Sequence, residues 1–343
     1  MKGTAILIIY TGGTIGMKRD AETGSLVPFN FKQIQEEVPE LSKFHFALDT
    51  ISYDPPVDSS NIQPEFWQSI TEIIKANYKK YDGFVILHGT DTMSYTASAL
   101  SFMIQNLTKP IILTGSQLPI GEIRTDGREN LLSAVEVAAA YKEGKPLIPE
   151  VCVLFNNHLY RGNRTFKYNA HAFNAFRSEN YPALAVAGID VQYHLPYVRK
   201  VDFSQSVRFN TKLDGNVASL TLFPGISQSV VHAVLNIKGV KGVVLETFGS
   251  GNAPTYPWFL DELEDAIKRG LVIVNVTQCR GGAVNMESYE TGLLLKKMGV
   301  ITGSDITIEA AIVKLMFLFG QNYAVDEVKR QFESSLAGEM EGN

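Results

Sequence analysis

Apolar positions along the chain fall into two alternating patterns. Continuous apolar runs at residues 5–10, 84–87, 111–113 and 151–155 have the length and composition of buried strands. Between them lie segments with apolar residues at helical spacing. Residues 66–78 place Phe66, Ile70, Ile73, Ile74 and Asn77 on that period, with Trp67 beside them, and Glu65 near the start suits the helix dipole. Further helices are predicted at 95–105 and 130–141. Strand-then-helix alternation with fully apolar strands points to an α/β fold, a mostly parallel sheet with helices on both faces.

The periodicity loosens between Tyr193 and Leu213, a polar stretch containing Pro196. A linker is placed at 195–215, between an N-terminal α/β domain at 1–194 and a C-terminal α/β domain at 216–343. In the second domain strands are expected at 217–222, 242–246 and 271–276, and helices at 227–236, 259–268 and from 308 onward. The end beyond Leu336 reads as a frayed tail.

Composition narrows the function classes. The 343 residues suffice for two domains and a sizeable core. Lys and Arg number 31 against 36 Asp and Glu, a net charge of −5 with no basic run, which argues against a nucleic-acid partner. No stretch approaches the ~18 apolar residues of a membrane span. The run at 5–10 is too short for a secretory signal, so a cytoplasmic protein is expected. The two cysteines, Cys152 and Cys279, make neither a disulfide framework nor a metal cluster, and both are expected to be buried thiols.

In parallel sheets, sites collect beyond the carboxyl ends of the strands. Those positions here hold Thr11-Gly12-Gly13-Thr14-Ile15-Gly16, His88-Gly89-Thr90-Asp91-Thr92, Thr114-Gly115-Ser116-Gln117 and, after Asn156 and Asn157, the segment 161–167 ending in Lys167. The first loop lacks the middle spacing of G-x-G-x-x-G and the lysine of a P-loop, so it fits neither a dinucleotide nor a phosphate site. A threonine hydroxyl needs an activating base or cation. Thr90, Asp91 and Lys167 together make such a set. Taken singly, Asp91 reads equally well as a helix N-cap and Lys167 as a solvated surface charge. The loop 54–61 either turns the chain and caps the next helix, or uses Asp58, Ser59 and Ser60 to hold the charged ends of a small zwitterion. His88 has no second His or Cys at ligand spacing, and the other five histidines form no spaced pair, so no metal is expected.

Together these loops resemble the bacterial-type L-asparaginase family. The likeness rests on the Thr11–Gly16 and His88–Met93 segments, Asp58-Ser59-Ser60, Thr114–Gln117, Arg161–Lys167 and Gly251-Asn252-Ala253-Pro254, in that family's order over nearly the whole chain. The stretches 81–93 and 159–164 are similar to the cytoplasmic type I branch. The resemblance implies hydrolysis of L-asparagine to L-aspartate and ammonia without a cofactor. It implies a larger N-terminal and a smaller C-terminal α/β domain. It also implies an intimate homodimer, in which the C-terminal domain of one subunit helps close the site of the other, and pairing of such dimers into tetramers.

Residue by residue, the resemblance makes Thr14 the nucleophile and Thr90, Lys167 and Asp91 the activating triad. It gives Asp58, Ser59 and Ser60 the substrate's α-amino and α-carboxylate groups, with Asp91 also facing the amine. Gly13 and Gly89 offer backbone amides, Ser116 is a further substrate-binding residue, and Asn252 reaches in from the neighbouring subunit. Two departures stand out. Residues 23–28 hold no Tyr, which many relatives carry in a lid after the first threonine; the polar run 18–23 with Gly24 is still expected to form that lid. Glu246 stands where type I members with an allosteric asparagine site carry an Arg, although Cys279 and Asn252 are in place, so weak or absent allostery is expected.

The nearest alternative is a glutaminase-asparaginase, since a pocket discriminates one methylene by only ~1–3 kcal/mol. An amidase acting on charged tRNA would be expected to carry a basic patch or an RNA-binding module, and neither is visible. A non-catalytic asparagine sensor would keep Asp58, Ser59 and Asp91 without needing Thr14, Thr90 and Lys167 together.

Overall fold

The computed structural model describes residues 4–19, 26–28, 36–287 and 290–341. The chain divides into two compact units, Met1–Thr211 and Lys212–Asn343.

In the first unit an eight-stranded sheet carries the site. Its strands are β1 (Ala5–Tyr10), β2 (Ala47–Ser52), β3 (Gly83–Leu87), β4 (Ile111–Thr114), β5 (Val151–Phe155), β6 (His158–Arg161), β7 (Ala185–Ala187) and β8 (Val191–Tyr193). Their order across the sheet is β8-β7-β6-β5-β4-β3-β1-β2. Pairings from β2 to β5 are parallel, and β6, β7 and β8 return antiparallel. The parallel part thus runs 2-1-3-4-5, and its direction of winding reverses between β1 and β3, where doubly wound sheets open a crevice. Strands β1, β3, β4 and β5 are buried almost throughout, which is why each reads as an unbroken apolar run. Edge strand β2 is half exposed, with no such run to announce it.

Helix α1 (Pro64–Asn77) buries Trp67, Ile70 and Ile74 on one face. Helix α2 (Met93–Met103) is buried on nearly all sides. Two of its serines bond back along the helix, Ser98 Oγ to Ser94 O and Ser101 Oγ to Ala97 O. It ends before residue 105, because Ile104–Gln105 leaves to pair with Arg208–Phe209. Helix α3 (Gly127–Ala138) likewise stops before residue 141, where Tyr141–Lys142 turns into a short hairpin with Lys145–Pro146.

The stretch expected as a linker is tied down over its first part. Buried Arg161 donates from Nε to Glu150 Oε2 at 2.7 Å and from Nη2 to the Tyr197 carbonyl at 2.9 Å. Glu150 also accepts the Arg199 N–H.

The second unit is built on a four-stranded all-parallel sheet, β9 (Val217–Thr221), β10 (Gly242–Thr247), β11 (Val272–Thr277) and β12 (Ile301–Thr302), in sequential order. Helices α4 (Gln228–Leu235), α5 (Pro257–Lys268), α6 (Glu290–Met298), α7 (Ile308–Gly320) and α8 (Val325–Glu333) complete it. The expected frayed tail is a correction. Ala337, Glu339 and Met340 are buried, and Glu339 accepts from the N–H groups of Leu336 and Ala337 and from Lys314 Nζ at 2.5 Å. Lys314 also donates to the carbonyls of Phe332 and Ser334, so each ammonium hydrogen has an acceptor. Burial opposes the Glu339 charge, but the Lys314 ammonium and the two N–H groups outweigh it and hold the carboxyl below its usual range. Cys279 is also a correction: Cys152 is buried but Cys279 is exposed, beyond the end of β11. Among the described residues no helix is long and apolar enough to cross a membrane.

Candidate active site

The loops after β1 and β3 meet at the reversal between these two strands. Thr11 anchors the first loop to the second, donating from both its N–H and its hydroxyl to the Leu87 carbonyl. Gly12 and Gly13 follow with positive φ. A Cβ on Gly12 would lie 2.2 Å from Val57 O, and one on Gly13 would lie 2.5 Å from Gly89 Cα. A Cβ on Gly89 would strike the Ser59 hydroxyl at 2.4 Å. Three backbone segments, 12–13, 57–59 and 89, are therefore pressed together where only glycine fits at two of them. Thr14 and Thr90 each follow one of the touching glycines, so the contact brings their backbones side by side.

Thr14 opens a single 3-10 turn, Thr14–Gly16, and is partly exposed. No described residue hydrogen-bonds its hydroxyl. Buried Tyr10 closes the turn from below, its phenol donating to the Gly16 carbonyl at 3.0 Å. Burial pushes that phenol up to about 12, so it holds shape and does not act as a base at neutral pH. After the turn, Met17–Arg19 pairs antiparallel with Leu26–Pro28. Residues 20–25, which include most of the expected lid, lie outside the described residues.

Lys167, on the short strand Phe166–Lys167, donates from Nζ to Thr90 Oγ1 and to Asp91 Oδ1, both at 2.7 Å. Asp91 therefore does not cap α2; the N-cap residue is Thr92, and its hydroxyl goes to the Ser59 carbonyl. Nor is Lys167 a free surface charge, since its side chain is only 19% exposed. Asp58 Oδ1 accepts from the N–H and the hydroxyl of Ser60. Those two bonds, the backbone one first, hold the Asp58 carboxyl below its usual range. Ser116 is buried and donates its hydroxyl to Leu118 O at 2.5 Å. Asn252 lies in the second unit, where its Oδ1 accepts from Thr291. It lines a pocket of about 530 Å³ with Phe223, Phe248, Tyr256 and Trp258. In the same unit Glu246 accepts from the hydroxyls of Ser219 and Thr221.

Sequence reasoning missed three supporting residues: Tyr10, His88 as a bonded group, and Asn130. Buried Asn130 donates to the Gly115 carbonyl and accepts from the Asn156 N–H, joining the loops after β4 and β5. Its signal was a lone amide on an otherwise apolar helix face. Among the described residues no group of His, Cys, Asp and Glu could hold a metal.

A hydroxyl beside a lysine–carboxylate pair, next to a second hydroxyl on a glycine-shaped loop, is a set of groups suited to a hydrolase. The chain belongs to the asparaginase family: residues 5–199 match the model of the asparaginase N-terminal domain and residues 216–332 that of the glutaminase/asparaginase C-terminal domain. It is 44% identical to L-asparaginase 1 of Escherichia coli, over 99% of each chain. Its structure is similar to the crystal structure of L-asparaginase I from Vibrio cholerae, with a TM-score of 0.89 at 44% identity, covering 99% of this chain and 100% of that one. The thermostable L-asparaginase of Thermococcus kodakarensis superposes with a TM-score of 0.90 at 34% identity, again over 99% and 100%.

Proposed function

We propose that the protein hydrolyses the side-chain amide of L-asparagine to L-aspartate and ammonia in the cytoplasm, with no cofactor. The observation that carries this reading is the Lys167 ammonium held at 2.7 Å from both Thr90 Oγ1 and Asp91 Oδ1, beside the glycine contact that presents Thr14. Thr14 Oγ attacks the amide carbon, and the hydroxyl proton leaves with the amide nitrogen as ammonia. Backbone N–H groups of the glycine loops stabilise the oxyanion. Water positioned by Thr90, with Lys167 and Asp91 behind it, then hydrolyses the β-aspartyl ester. Asp58, Ser59 and Ser60 face the α-amino and α-carboxylate groups. Ser116 supports the neighbouring loop, because its own hydroxyl proton is engaged by Leu118.

Asn252 serves the site of a neighbouring copy in a homodimer, a reading supported by the exposed Phe223 and Tyr256 around its pocket. With Glu246 accepting two hydroxyls and presenting a negative group, the rate should depend hyperbolically on asparagine. A sigmoidal curve abolished by changing Cys279 would overturn that part. The decisive experiment is initial-rate ammonia release over a wide range of L-asparagine, with L-glutamine and D-asparagine in parallel. Efficient turnover of L-asparagine supports the proposal. Release from L-glutamine at equal efficiency would redefine the substrate, and no release from any of the three would overturn the reading.

A further inference from the structure

His88 is fully buried, directly before Gly89 and Thr90, and the reaction proposed above gives it no part. Its ring lies in a chain of three hydrogen bonds whose directions are fixed by chemistry. Trp67 Nε1 can only donate, and its partner is Thr96 Oγ1 at 3.0 Å. The Thr96 hydroxyl hydrogen is then directed to its other partner, His88 Nε2 at 2.9 Å. A carbonyl can only accept, so His88 Nδ1, 2.6 Å from Gly89 O, carries the ring's proton. The chain is therefore Trp67 to Thr96 to His88 to the Gly89 carbonyl, with His88 as the Nδ1–H tautomer. Complete burial, only slightly opposed by the Gly89 bond, lowers the ring to about 4, so it stays neutral in the physiological range.

We propose that His88 is a positioning residue: by donating to the Gly89 carbonyl it locks the Gly89–Thr90 peptide plane and so sets where the Thr90 hydroxyl meets Lys167. That carbonyl belongs to the peptide whose other end is the Thr90 nitrogen, and a planar peptide moves as one piece. On its far side Thr90 is held through its side chain, by Lys167. The backbone cannot be steadied by a side chain on residue 89 itself, because a Cβ there would strike the Ser59 side chain. Support must come from behind, from the core, and the relay through α1 and α2 supplies it.

The test rests on the proposed hydrolysis for its kinetic half and is independent of it for the other. In the wild-type protein, nitrogen-resolved NMR of the His88 ring should show the Nδ1–H tautomer, unchanged from pH 6 to pH 9. An Nε2–H tautomer or an imidazolium in that range would overturn the inference whether or not asparagine is the substrate. Two variants then separate position from mere packing. In His88→Asn the amide nitrogen reaches as far from Cγ's position as Nδ1 does and can still donate to Gly89 O. In His88→Gln it sits one bond further out, near Nε2, and cannot. The Asn variant should keep kcat within a few-fold of wild type, whereas the Gln variant should lose on the order of 10²-fold, the scale of a misplaced reacting group. KM for asparagine should be little changed in both. Equal kcat in the two variants at similar thermal midpoints, whether high or low, would overturn it. If wild-type protein released no ammonia from asparagine, the proposed function would fall while the ring measurement still judged the relay.

Discussion

The two units each hold a lysine against a carboxylate, and the pairs could hardly differ more in setting. Lys314 and Glu339 meet at 2.5 Å with neither side chain exposed, and backbone carbonyls and N–H groups complete both shells. Lys167 and Asp91 meet at 2.7 Å, but Asp91 is 64% exposed and one Lys167 hydrogen goes to a threonine hydroxyl. The closed pair has no vacancy for a reactant, and its work is to fasten the chain after α8 to α7. The open pair leaves carboxylate oxygens and a hydroxyl facing outward. Identical chemistry becomes a clasp or a reactive centre according to which neighbours fill the remaining hydrogen-bonding positions.

Breaking the open pair should have the largest effect on rate. Lys167→Met and Thr90→Val should each lower kcat by roughly 10²–10⁴-fold, the range of acid–base and nucleophile support. Thr14→Ala should fall at least as far, with the thermal midpoint close to wild type in all three. Full activity in any of them would remove that residue from the scheme. Breaking the closed pair should act on stability alone. Glu339→Ala should cost about 3–5 kcal/mol, because it strands a buried ammonium. Folded protein at low temperature should keep its kcat. The double change Lys314→Met with Glu339→Gln should be less destabilised than Glu339→Ala in denaturant titrations. A double variant worse than either single would mean that the charges themselves stabilise the clasp.

Acid should sharpen the contrast further. His88 is lowered in the folded protein from 6.5 to about 4, so the unfolded chain takes up its proton first as pH falls. Its contribution is complete above pH 6.5 and disappears as the pH drops toward 4, a change of about 3 kcal/mol. His88→Asn should flatten the fall in stability between those pH values, measured by chemical unfolding. The smallest effect should come from exposed pairs such as Lys75–Glu72, whose side chains are about half exposed. Neutralising one of those should shift stability by no more than about 0.5 kcal/mol.

How much the sequence reveals follows from which surfaces are buried. Strands covered on both faces, such as β1 and β5, are legible to the residue, because every position must be apolar. Strand β2 and the antiparallel trio β6, β7 and β8 escape, being partly exposed or short. Helix ends at 103 and 138 are overrun because apolar residues continue into the next pairing. The buried tail carried one local sign, the single charge of Lys314 inside the apolar run of α7, which requires a partner somewhere. Within the site, Thr90, Asp91 and Lys167, which the structure brings within hydrogen-bond distance, could be grouped from residue type and their places after successive strands. The relay behind His88 could not, since Trp67 and Thr96 gain meaning only when α1 and α2 are laid over β3.

The meeting of Gly13 and Gly89 has a consequence for anyone reshaping this enzyme by mutation and selection. Every single-base change in a glycine codon that alters the residue adds at least one carbon or ends the chain, and that carbon would occupy space already filled, by the Gly89 backbone at position 13 and by the Ser59 side chain at position 89. A saturation library should therefore recover these two sites almost only as wild type, while Asp58 and Ser60, exposed on the third segment, accept change and alter substrate preference. The separation between the two threonines is inherited from main chain alone, and selection for new substrates would have to work around it.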